Sequence, residues 1–587
     1  MRYKLINEIN PNYTIEEQIL TNRGIPYDEI NHYLNTTDED ISKPKLLGET
    51  KLYDAASVLL SSIKDNKRAL VIIDTDMDGY TSSALLINYL NRLFPTWVQN
   101  SLSWLHHTSK QHGLKDCINE ALKYDLVICP DSASSDIDEH KRLFDANIPV
   151  IVLDHHQTEI TNLDTYKYAI IINNQCCEYP NKALSGVGVT WQFCRYIDQK
   201  LDSKDKCADD FLDLVAAGLV GDVMSLRSIE TKHLIQKGLE RIQNPFLAAM
   251  VEKNSYSLKG EITPFGVAFY IVPFVNAITR SGTQEEKEIV FELMLEFKAN
   301  DKIPSTKRGH KLNETETVLA QALRAVTNAK KRQTKAQEEG LALLENKIKD
   351  EHLDSNKILF IITRPEEVQY ELRGLIANKL KEEYQRPCCI VALNGDNYEG
   401  SMRGYERSGI TNFKDICEKT HCVNWVQGHN NSAGLSIPKE KVNDFVLAAN
   451  QLLKDIDEES VYLVDKIYNE KNVDSDDILA IAALGNLYGK DVEEPLIAIE
   501  KLKITKNMIT LLSPDKNPTL RITLPNKINI MKFKSSVDEY ESLSPTDEGY
   551  IEINLVGSCN KNVWNGNVSA QIFMTDYQIV NQVDYYF

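Results

Sequence analysis

The chain has 587 residues, and its 66 Lys and Arg against 85 Asp and Glu give a formal net charge of −19. With 42% hydrophobic and 26% charged residues, the composition is that of a soluble globular protein, which excludes a disordered, collagen-like or membrane-embedded chain. The acidic balance argues against a polybasic surface that coats nucleic acid or binds a membrane, although a local basic cleft is compatible with it.

Residues 1–65 are predicted to form short helices, because two Pro-containing breaks interrupt an otherwise helical pattern. The N-terminus has no apolar core of a signal peptide, and no run in the chain reaches the ~18 to 20 apolar residues of a spanning helix. We therefore expect a cytoplasmic protein with no membrane partner. The 11 cysteines include no CxxC pair, which favours free thiols, buried at Cys176-Cys177 and at Cys388-Cys389.

Residues 66–284 are predicted to form an α/β domain. Short apolar runs at 69–73, 126–130, 148–153 and 168–172 alternate with helical segments such as 81–93. Continuous apolar strands that alternate with helices indicate a parallel sheet covered on both faces. In such a sheet, the ligand site lies outside the carboxyl ends of the strands.

Three of these runs place acidic residues or a histidine at their carboxyl ends: Asp74, Asp76, Asp78, Asp131, Asp154 and His155. In an extended chain, Asp74, Asp76 and Asp78 would point to one side of the sheet. Crowded carboxylates repel each other and raise each other's pKa values, and divalent cations relieve that repulsion. The donor set suits Mn²⁺, with Mg²⁺ as the alternative, and two ions about 4 Å apart would form a clamp for attack at phosphorus. A solvated acidic loop is the alternative interpretation of residues 74–78 alone.

The rest of the chain is predicted to contain three further parts. Residues 285–350 form a connecting helix, residues 351–455 a second α/β domain, and residues 456–587 a small β-barrel. The connecting segment carries many basic residues, which either contact phosphates or form a solvated face: Lys298, Lys302, Lys307, Arg308, Lys311, Arg324, Lys330, Lys331, Arg332 and Lys335. In the barrel, Trp564 and Tyr577 either stack on bases or belong to the core.

Four segments resemble the motifs of the DHH phosphoesterase superfamily, in the order and spacing of that family: IIDTDMDGYTSSALL, CPDSASS, VIVLDHH and GLVGDVMSL. This resemblance implies a metal-activated water that hydrolyses a phosphodiester, with Asp131, His155 and His156 as catalytic residues. It also implies a set of metal ligands and their supporting residues: Asp76, Asp78, Asp131, His155 and Asp222, together with Asp74, Asp154 and His156.

Segments along almost the whole chain resemble the RecJ family of single-strand-specific 5′-to-3′ DNA exonucleases: ILTNRGI, ALSGVGVTWQF, VPFVNAITRSG, GSMRG, QGHNNSAGLSI and VGSCNKNVWNGNVSAQIFMTD. The resemblance implies that the second α/β domain is a DHH-associated domain that closes over the crevice, and that residues 456–587 resemble an OB fold. It also implies a set of substrate-binding residues, of which the last is catalytic as well: His107, Asn276, Arg280, Ser401, Arg403, Gly428 and His429.

The chain departs from the family pattern in three segments, which are residues 106–113, residues 131–133 and residue 427. Ser132-Ala133 follows Asp131 where the family usually has Asn-Gly, and Gln427 replaces the first glycine of a Gly-Gly-His loop. His107 stands where the family often has an arginine, which weakens a phosphate contact at neutral pH because an ordinary imidazole is mostly uncharged there. His112-Gly113 falls in the stretch where the family has Gly-Tyr-Gly. We expect activity to be preserved, since no implied metal ligand is lost.

The sequence thus predicts a metal-dependent exonuclease for single-stranded DNA in repair, recombination or replication. A single-strand-binding protein or a helicase is the expected protein partner. Two alternatives stay open: an oligoribonuclease or cyclic-dinucleotide phosphodiesterase of the same superfamily, and a non-catalytic replication scaffold.

Overall fold

The structure, a computed structural model, describes residues 1–587 except 109–110, 161, 164, 202–205, 259, 456–460, 547–548, 565 and 584–587, and it leaves out the side chain of Trp564. The chain divides into two compact units. One contains residues 28–332 and 486–493, and the other contains residues 1–27, 333–485 and 494–587.

The first unit is built on a five-stranded sheet in which all neighbouring strands are parallel. Its strands, in spatial order, are Leu102–His106, Ala69–Ile73, Leu126–Pro130, Val150–Asp154 and Ile170–Asn173. The three central strands are buried along their whole length. Side chains that include Leu70, Val127 and Val152 form one apolar core on the sheet, which explains the continuous apolar runs in the sequence.

Helices cover this sheet and fill the rest of the unit. They are Ile30–Leu34, Glu49–Lys64, Met77–Leu93, Pro95–Ser101, Ile118–Ala121, Ile137–Asp145, Gly186–Lys200, Leu212–Gly221, Ile229–Glu240, Pro245–Lys253, Ser255–Leu258, Pro264–Tyr270, Val272–Ser281 and Gln284–Met294. Met77–Leu93 is buried from Met77 to Leu90, and it packs against both Gly186–Lys200 and Leu212–Gly221. These three helices therefore form the interior of the unit beside the sheet.

The predicted connecting helix over 285–350 is wrong in its first half. Gln284–Met294 is a separate helix, an antiparallel pair Lys302–Pro304 and Thr315–Thr317 follows, and the long helix extends over Val318–Asp350. The boundary between the two units falls within this long helix, after residue 332. The intervening residues contain Pro304 and Gly309, and these helix-breaking residues account for the interruption.

The second unit contains two larger sheets. One has five strands in the order Trp425–His429, Ser432–Pro438, Asn397–Arg403, Cys388–Asn394 and Leu359–Thr363, with helices Tyr370–Tyr384, Phe413–Lys419 and Val442–Leu452. The other has seven strands in the order Lys466–Asn469, Leu496–Ile504, Tyr550–Trp564, Asn567–Val583, Asn529–Phe533, Thr519–Thr523 and Ile509–Leu512, with helices Ser475–Ala483 and Val537–Leu543. This C-terminal sheet is consistent with the predicted OB-like domain, and the predicted α/β fold class is confirmed.

The N-terminal segment differs from the all-helical prediction. Helix Ile15–Asn22 is present, but Arg2–Leu5 is a strand that pairs in parallel with Val461–Val464. A strand whose partner lies more than four hundred residues away leaves little local signal in the sequence. The predicted free thiols are present at all 11 cysteines, with Cys388 and Cys389 buried, whereas Cys176 is exposed. Among the described residues, no helix is both long and apolar enough to cross a membrane.

A buried ion pair fixes the N-terminal segment within the second unit. Arg23 donates from its two terminal nitrogens to the two carboxylate oxygens of Asp465, each at 2.8 Å, and Asn22 donates to the same carboxylate at 2.9 Å. Asp465 is fully buried and Arg23 is 5% exposed. Removal of the carboxylate would take from a buried guanidinium the acceptor of two charge-assisted hydrogen bonds.

We expect Asp465→Ala to lower the free energy of unfolding by about 3–5 kcal/mol, the usual cost of breaking a buried pair. Asp415→Ala is the matched control, because Asp415 pairs with Lys419 on the surface of the same unit, where a loss of no more than about 1 kcal/mol is expected. Urea denaturation followed by tryptophan fluorescence measures both variants. Equal effects of the two substitutions would contradict the role given to Asp465.

Candidate active site

Acidic residues gather at one edge of the five-stranded parallel sheet. Asp74 follows strand Ala69–Ile73, Asp131 follows strand Leu126–Pro130, and Asp154 ends strand Val150–Asp154. These strands are parallel neighbours, so their carboxyl ends meet at the same edge. All three carboxylates are at most 1% exposed. The sheet itself therefore concentrates buried negative charge at one place.

The segment from Asp74 to Asp78 is not the extended chain that we predicted. The strand ends at Ile73, Asp76 caps helix Met77–Leu93 by accepting a hydrogen bond from the Gly79 amide at 3.1 Å, and Asp78 lies in the first helical turn. The carboxylates therefore converge through a strand-to-helix turn and not through the alternation of a strand. Gly79 permits this turn, because a Cβ there would lie 2.5 Å from the Cβ of Asp74.

The start of helix Gly186–Lys200 holds Asp78 in position. Its carboxylate accepts hydrogen bonds from the Ser185 hydroxyl at 2.9 Å and from the backbone amides of Gly186 at 2.7 Å and Val187 at 3.1 Å. Free amides at a helix N-terminus favour an anion, so the fold stabilises a charge that burial disfavours. The ALSGVG segment thus acts as a support for the acidic cluster.

Asp131 occupies a strained position beside the same glycine. Its φ angle of 62° lies in the left-handed region, and its amide donates to the carbonyl of Leu153 at 2.7 Å. A Cβ on Gly186 would lie 2.4 Å from Oδ1 of Asp131. The strained backbone of Asp131 and the lack of a Cβ on Gly186 together allow this carboxylate to point into the cluster.

His155 joins three of the carboxylates. Its Nε2 lies 3.3 Å from an oxygen of Asp131, 3.3 Å from an oxygen of Asp222 and 3.8 Å from an oxygen of Asp78. Asp222 reaches the cluster because it directly follows helix Leu212–Gly221, which packs on helix Met77–Leu93. Burial lowers the pKa of His155, so its ring is available as a neutral metal ligand.

Asp154 and His156 form a separate hydrogen-bonded pair. Oδ1 of Asp154 accepts from Nδ1 of His156 at 2.7 Å and from the amides of His155 and His156, while Oδ2 accepts from the amide of Ser134 at 3.0 Å. Although burial opposes it, these bonds hold the pKa of Asp154 below its usual range. The same bond outweighs the desolvation of His156 and raises its pKa to about 9. At neutral pH the imidazole of His156 is therefore cationic.

His112 lies in the site, although no motif of the sequence predicts a role for it. Its Nδ1 bonds Oδ2 of Asp74 at 2.8 Å, and its ring centroid lies 6.4 Å from that of His156. This bond raises the pKa of His112 against the opposing effect of burial. His112 stands out in the sequence only as a departure from the Gly-Tyr-Gly pattern. Its partner Asp74 lies 38 residues away in the chain, so the pairing leaves no local signal.

The electrostatics of the cluster indicate a missing positive charge. Burial, followed by neighbouring carboxylates, raises the pKa of Asp131 well above its usual value and the pKa of Asp222 to about 8. Burial also raises the pKa values of Asp74 and Asp78. Folding has thus assembled carboxyl groups whose charged forms are not compensated by protein cations.

The donor atoms fit a divalent cation. Oδ1 of Asp74, Oδ1 of Asp131 and Nε2 of His155 are buried and have no hydrogen-bond partner among the described residues. Ligand atoms of Asp74, Asp76 and Asp131 lie within 4.8 Å of one another, and so do those of Asp78, His155 and Asp222. Carboxylate oxygens with an imidazole are the donors that Mn²⁺ and Mg²⁺ accept. The ligand set therefore suits a pair of adjacent cation positions.

Three of the predicted substrate-binding residues lie in the same unit. The side chain of His107 is buried, with Nδ1 2.9 Å from Oδ1 of Asp116. Asn276 and Arg280 lie one turn apart on helix Val272–Ser281, and Oδ1 of Asn276 and Nε of Arg280 are buried without a hydrogen-bond partner among the residues described. Burial lowers the pKa of Arg280, and the charge of Asp76 opposes this shift. Arg280 is therefore within electrostatic reach of the acidic cluster.

The remaining predicted residues belong to the five-stranded sheet of the second unit. Ser401 and Arg403 lie on strand Asn397–Arg403, and Gly428 and His429 end strand Trp425–His429. Arg403 pairs in register with Ser432, which also pairs with His429, so these side chains are carried by three adjacent strands. Gly428 has a φ of 130°, and a Cβ there would lie 2.9 Å from Cα of Ala433, so glycine is required.

Several basic side chains of the connecting segment are already paired, among them two arginines. Arg324 donates to Glu316 at 2.7 Å, and Arg332 donates to Glu286 at 2.6 Å. These pairs favour a structural role for the two arginines over direct neutralisation of phosphates. Of the two C-terminal aromatics, Tyr577 is partly buried beside Lys532, and the side chain of Trp564 lies outside the described residues.

We expect Gly186→Ala to weaken Mn²⁺ binding by about 10- to 100-fold, as disruption of supporting groups in metal sites commonly does. The added methyl group would collide with Asp131 and displace it. Gly485→Ala is the control, because a Cβ there meets nothing within 4 Å. Isothermal titration with Mn²⁺ gives both dissociation constants, and an unchanged constant for Gly186→Ala would show that Asp131 does not depend on this contact.

The metal-free protein should lose stability as the pH rises from about 5 to about 8. Asp222 has a folded pKa of about 8, against about 3.9 for an unfolded aspartate, so the folded form retains a proton that the unfolded chain releases in this range. The melting temperature in EDTA should fall across this interval, and Asp222→Asn should reduce the slope. An identical slope in Asp222→Asn would contradict the raised pKa.

Comparison with known proteins identifies the family. Residues 68–219 match the DHH family, N-terminal domain, and residues 359–455 match the DHHA1 domain. YorK of Bacillus subtilis (strain 168), named as a candidate SPβ prophage-derived single-strand DNA-specific exonuclease, is 31% identical over 588 residues, which cover 99% of this chain and 98% of that protein. The single-stranded-DNA-specific exonuclease RecJ of the same strain is 22% identical over 93% of this chain and 65% of its own length.

A solved structure shows the same fold. RecJ from Thermus thermophilus, in complex with Mn²⁺, superposes with a TM-score of 0.70 and 18% identity, and the match covers 99% of this chain and 80% of that one. The acidic cluster lies within the DHH match, except for Asp222, which directly follows it. The chain therefore belongs to the DHH phosphoesterase superfamily and is a RecJ-like phosphodiester hydrolase.

Proposed function

We propose that this protein is a metal-dependent exonuclease that degrades single-stranded DNA from the 5′ end. The observation that carries the proposal is the convergence of buried Asp and His donors at the sheet edge, in a chain that is similar over nearly its full length to a candidate single-strand DNA-specific exonuclease. The T. thermophilus neighbour that contains Mn²⁺ supports a divalent ion as the cofactor. The metal dependence is thus inferred from the Asp and His donors of the fold, and the substrate class from the similar protein.

The residues that would hold the ions are Asp76, Asp78, Asp131, His155 and Asp222, with Asp74 directly beside them. We propose two ions, with Mn²⁺ preferred and Mg²⁺ as a substitute. Ions bound there would supply Lewis acidity, lowering the pKa of water toward neutrality and offsetting charge on the phosphate. The protein contributes a preformed set of donors, because Gly79, Gly186 and the strained Asp131 backbone fix the carboxylates before any ion binds.

His156 would hold a proton next to the reacting phosphate. Its Nδ1 is engaged by Asp154, which leaves Nε2 of a half-exposed, cationic ring free to donate to a phosphate oxygen. Asp154 thereby sets the orientation and the charge of this imidazole. His112, held by Asp74, would place a second imidazole nearby.

The second unit would bind the strand through Ser401, Arg403, Gly428 and His429. A guanidinium presents two donors to phosphate oxygens, and Gly374 makes room for Arg403, since a Cβ at that glycine would lie 2.3 Å from a terminal nitrogen of the guanidinium. His429 would contact the scissile phosphate, as the resemblance implies. We propose 66–284, 351–455 and 456–587 as the catalytic, DHH-associated and OB-like parts, and a single-strand-binding protein or a helicase as the expected partner.

Two other functions are less well supported. A phosphodiesterase for dinucleotides or cyclic dinucleotides does not require the C-terminal seven-stranded sheet. In addition, a relative that matches nearly the full length of this chain is named for single-stranded DNA. A non-catalytic scaffold does not require the complete set of buried donors, which costs stability in the absence of an ion.

We expect Asp131→Ala to reduce the rate of hydrolysis of a 5′-phosphorylated single strand at least about 10³-fold, because it removes one of the carboxylates that would hold the ions. Strand binding should change little. Asp138→Ala, an exposed carboxylate of the same unit, is the control and should retain full activity. The assay compares strands labelled at the 5′ or the 3′ end, with Mn²⁺ and Mg²⁺ in parallel.

The label that is released first reports the polarity, and duplex DNA and dinucleotides are tested beside the single strand. Early release of the 5′ nucleotide from single strands supports the proposal. Cleavage of dinucleotides alone would favour the small-substrate phosphodiesterase. Absence of hydrolysis with either metal would favour the scaffold, and a normal rate in Asp131→Ala would show that the cluster is not catalytic.

A further inference from the structure

An exposed pair of aromatic rings lies on the helix that precedes Val272–Ser281, the helix that carries the predicted substrate-binding residues Asn276 and Arg280. Phe265 and Phe269, here called the aromatic ledge, are 47% and 61% exposed. They lie one turn apart on helix Pro264–Tyr270, and their rings are stacked, with centroids 4.2 Å apart and planes at 26°. Exposure of two phenylalanines costs free energy in water, and such patches commonly mark a binding surface.

The helix that carries the ledge is held firmly. Thr263 caps its first turn by accepting a hydrogen bond from the Gly266 amide at 3.0 Å, and Pro264 begins the helix. Val267, on the opposite side from the rings, is 1% exposed. The two rings are therefore displayed on a fixed support and do not lie on a loop.

The position of the helix connects the ledge to the active site. It packs against helix Leu212–Gly221, which is followed by Asp222, and it is joined through Ile271 to helix Val272–Ser281, which carries Asn276 and Arg280. Asn276 and Arg280 have buried polar atoms without a hydrogen-bond partner among the described residues, as expected of groups that await a polar ligand. A further cation, Lys253, lies 5.9 Å from the ring of Phe274 on that helix.

This arrangement places aromatic surface and phosphate-binding groups on adjacent helices. A single-stranded polynucleotide presents the same two features, since unpaired bases have free faces and the backbone repeats a negative charge. The outer faces of a stacked ring pair can continue the stack onto a base, whereas bases in a duplex are already stacked on their neighbours. Apolar stacking combined with cations fits this ligand better than a lipid surface or an acidic peptide.

We propose that Phe265 and Phe269 form a base-stacking subsite for single-stranded DNA, beside the phosphate contacts of Asn276 and Arg280. The inference rests on the proposed nuclease function and adds a base-binding element to it. Stacking on any base is independent of sequence, so the subsite favours unpaired strands without selecting a sequence.

The test measures binding of an internally labelled thymidine 20-mer and of an abasic 20-mer, which keeps the phosphates but lacks the bases. Fluorescence anisotropy in EDTA avoids hydrolysis. We expect the double variant Phe265→Ala/Phe269→Ala to bind the thymidine strand about tenfold more weakly than the unmodified protein. Binding of the abasic strand should be unchanged, because the phosphate contacts remain.

Two further variants separate stacking from folding. Phe265→Tyr/Phe269→Tyr retains aromatic faces and should bind like the unmodified protein, whereas Phe265→Leu/Phe269→Leu keeps apolar volume and should bind like the alanine variant. Tyr53→Ala, an exposed aromatic on helix Glu49–Lys64, is the surface control and should bind normally.

The outcomes distinguish this inference from the proposed function. If the unmodified protein binds and degrades single strands but the alanine and leucine variants bind both probes normally, the ledge has another role and the inference is wrong. Equally weakened binding of the thymidine strand and the abasic strand would also overturn the inference, since the lost affinity would then not come from contacts with bases. If the unmodified protein neither binds nor degrades single strands, the proposed function itself fails.

Discussion

The burial of several carboxyl groups at one place is the constraint on which this structure depends. A parallel sheet brings Asp74, Asp131 and Asp154 to one edge, and two helices add Asp78 and Asp222. In the absence of a compensating cation these groups hold raised pKa values, with the exception of Asp154, which His156 and backbone amides stabilise in its charged form. The fold therefore gathers buried carboxyl groups whose charged forms a divalent ion would stabilise.

Several local features serve this one cluster. Glycines at 79 and 186 allow backbone and carboxylate to approach more closely than any side chain would permit, and Asp131 adopts a left-handed conformation to reach the same point. The N-terminus of helix Gly186–Lys200 supplies amides to Asp78. The strained backbone and the buried carboxylates lower the stability of the fold. Their combination is therefore explained by function more readily than by stability.

The sequence predicted the central strands closely, because Ala69–Ile73 and Leu126–Pro130 are buried on both faces and read as continuous apolar runs. It missed the edge strand Leu102–His106, whose middle residues are only partly buried and whose pattern is mixed. The motifs identified the acidic cluster, but not the turn that brings Asp76 and Asp78 into it. His112 and the pair Arg2–Leu5 with Val461–Val464 depend on partners distant in the chain, which periodicity does not reveal.

The most direct test of the account is an anomalous difference map from crystals of the protein soaked in Mn²⁺. Two peaks about 4 Å apart are expected, enclosed by Asp76, Asp78, Asp131, His155 and Asp222, with Asp154 and His156 outside the direct ligand set. Absence of any peak in this cluster, under conditions where Mn²⁺ supports hydrolysis, would contradict the central claim that the buried carboxylates form the catalytic cation site.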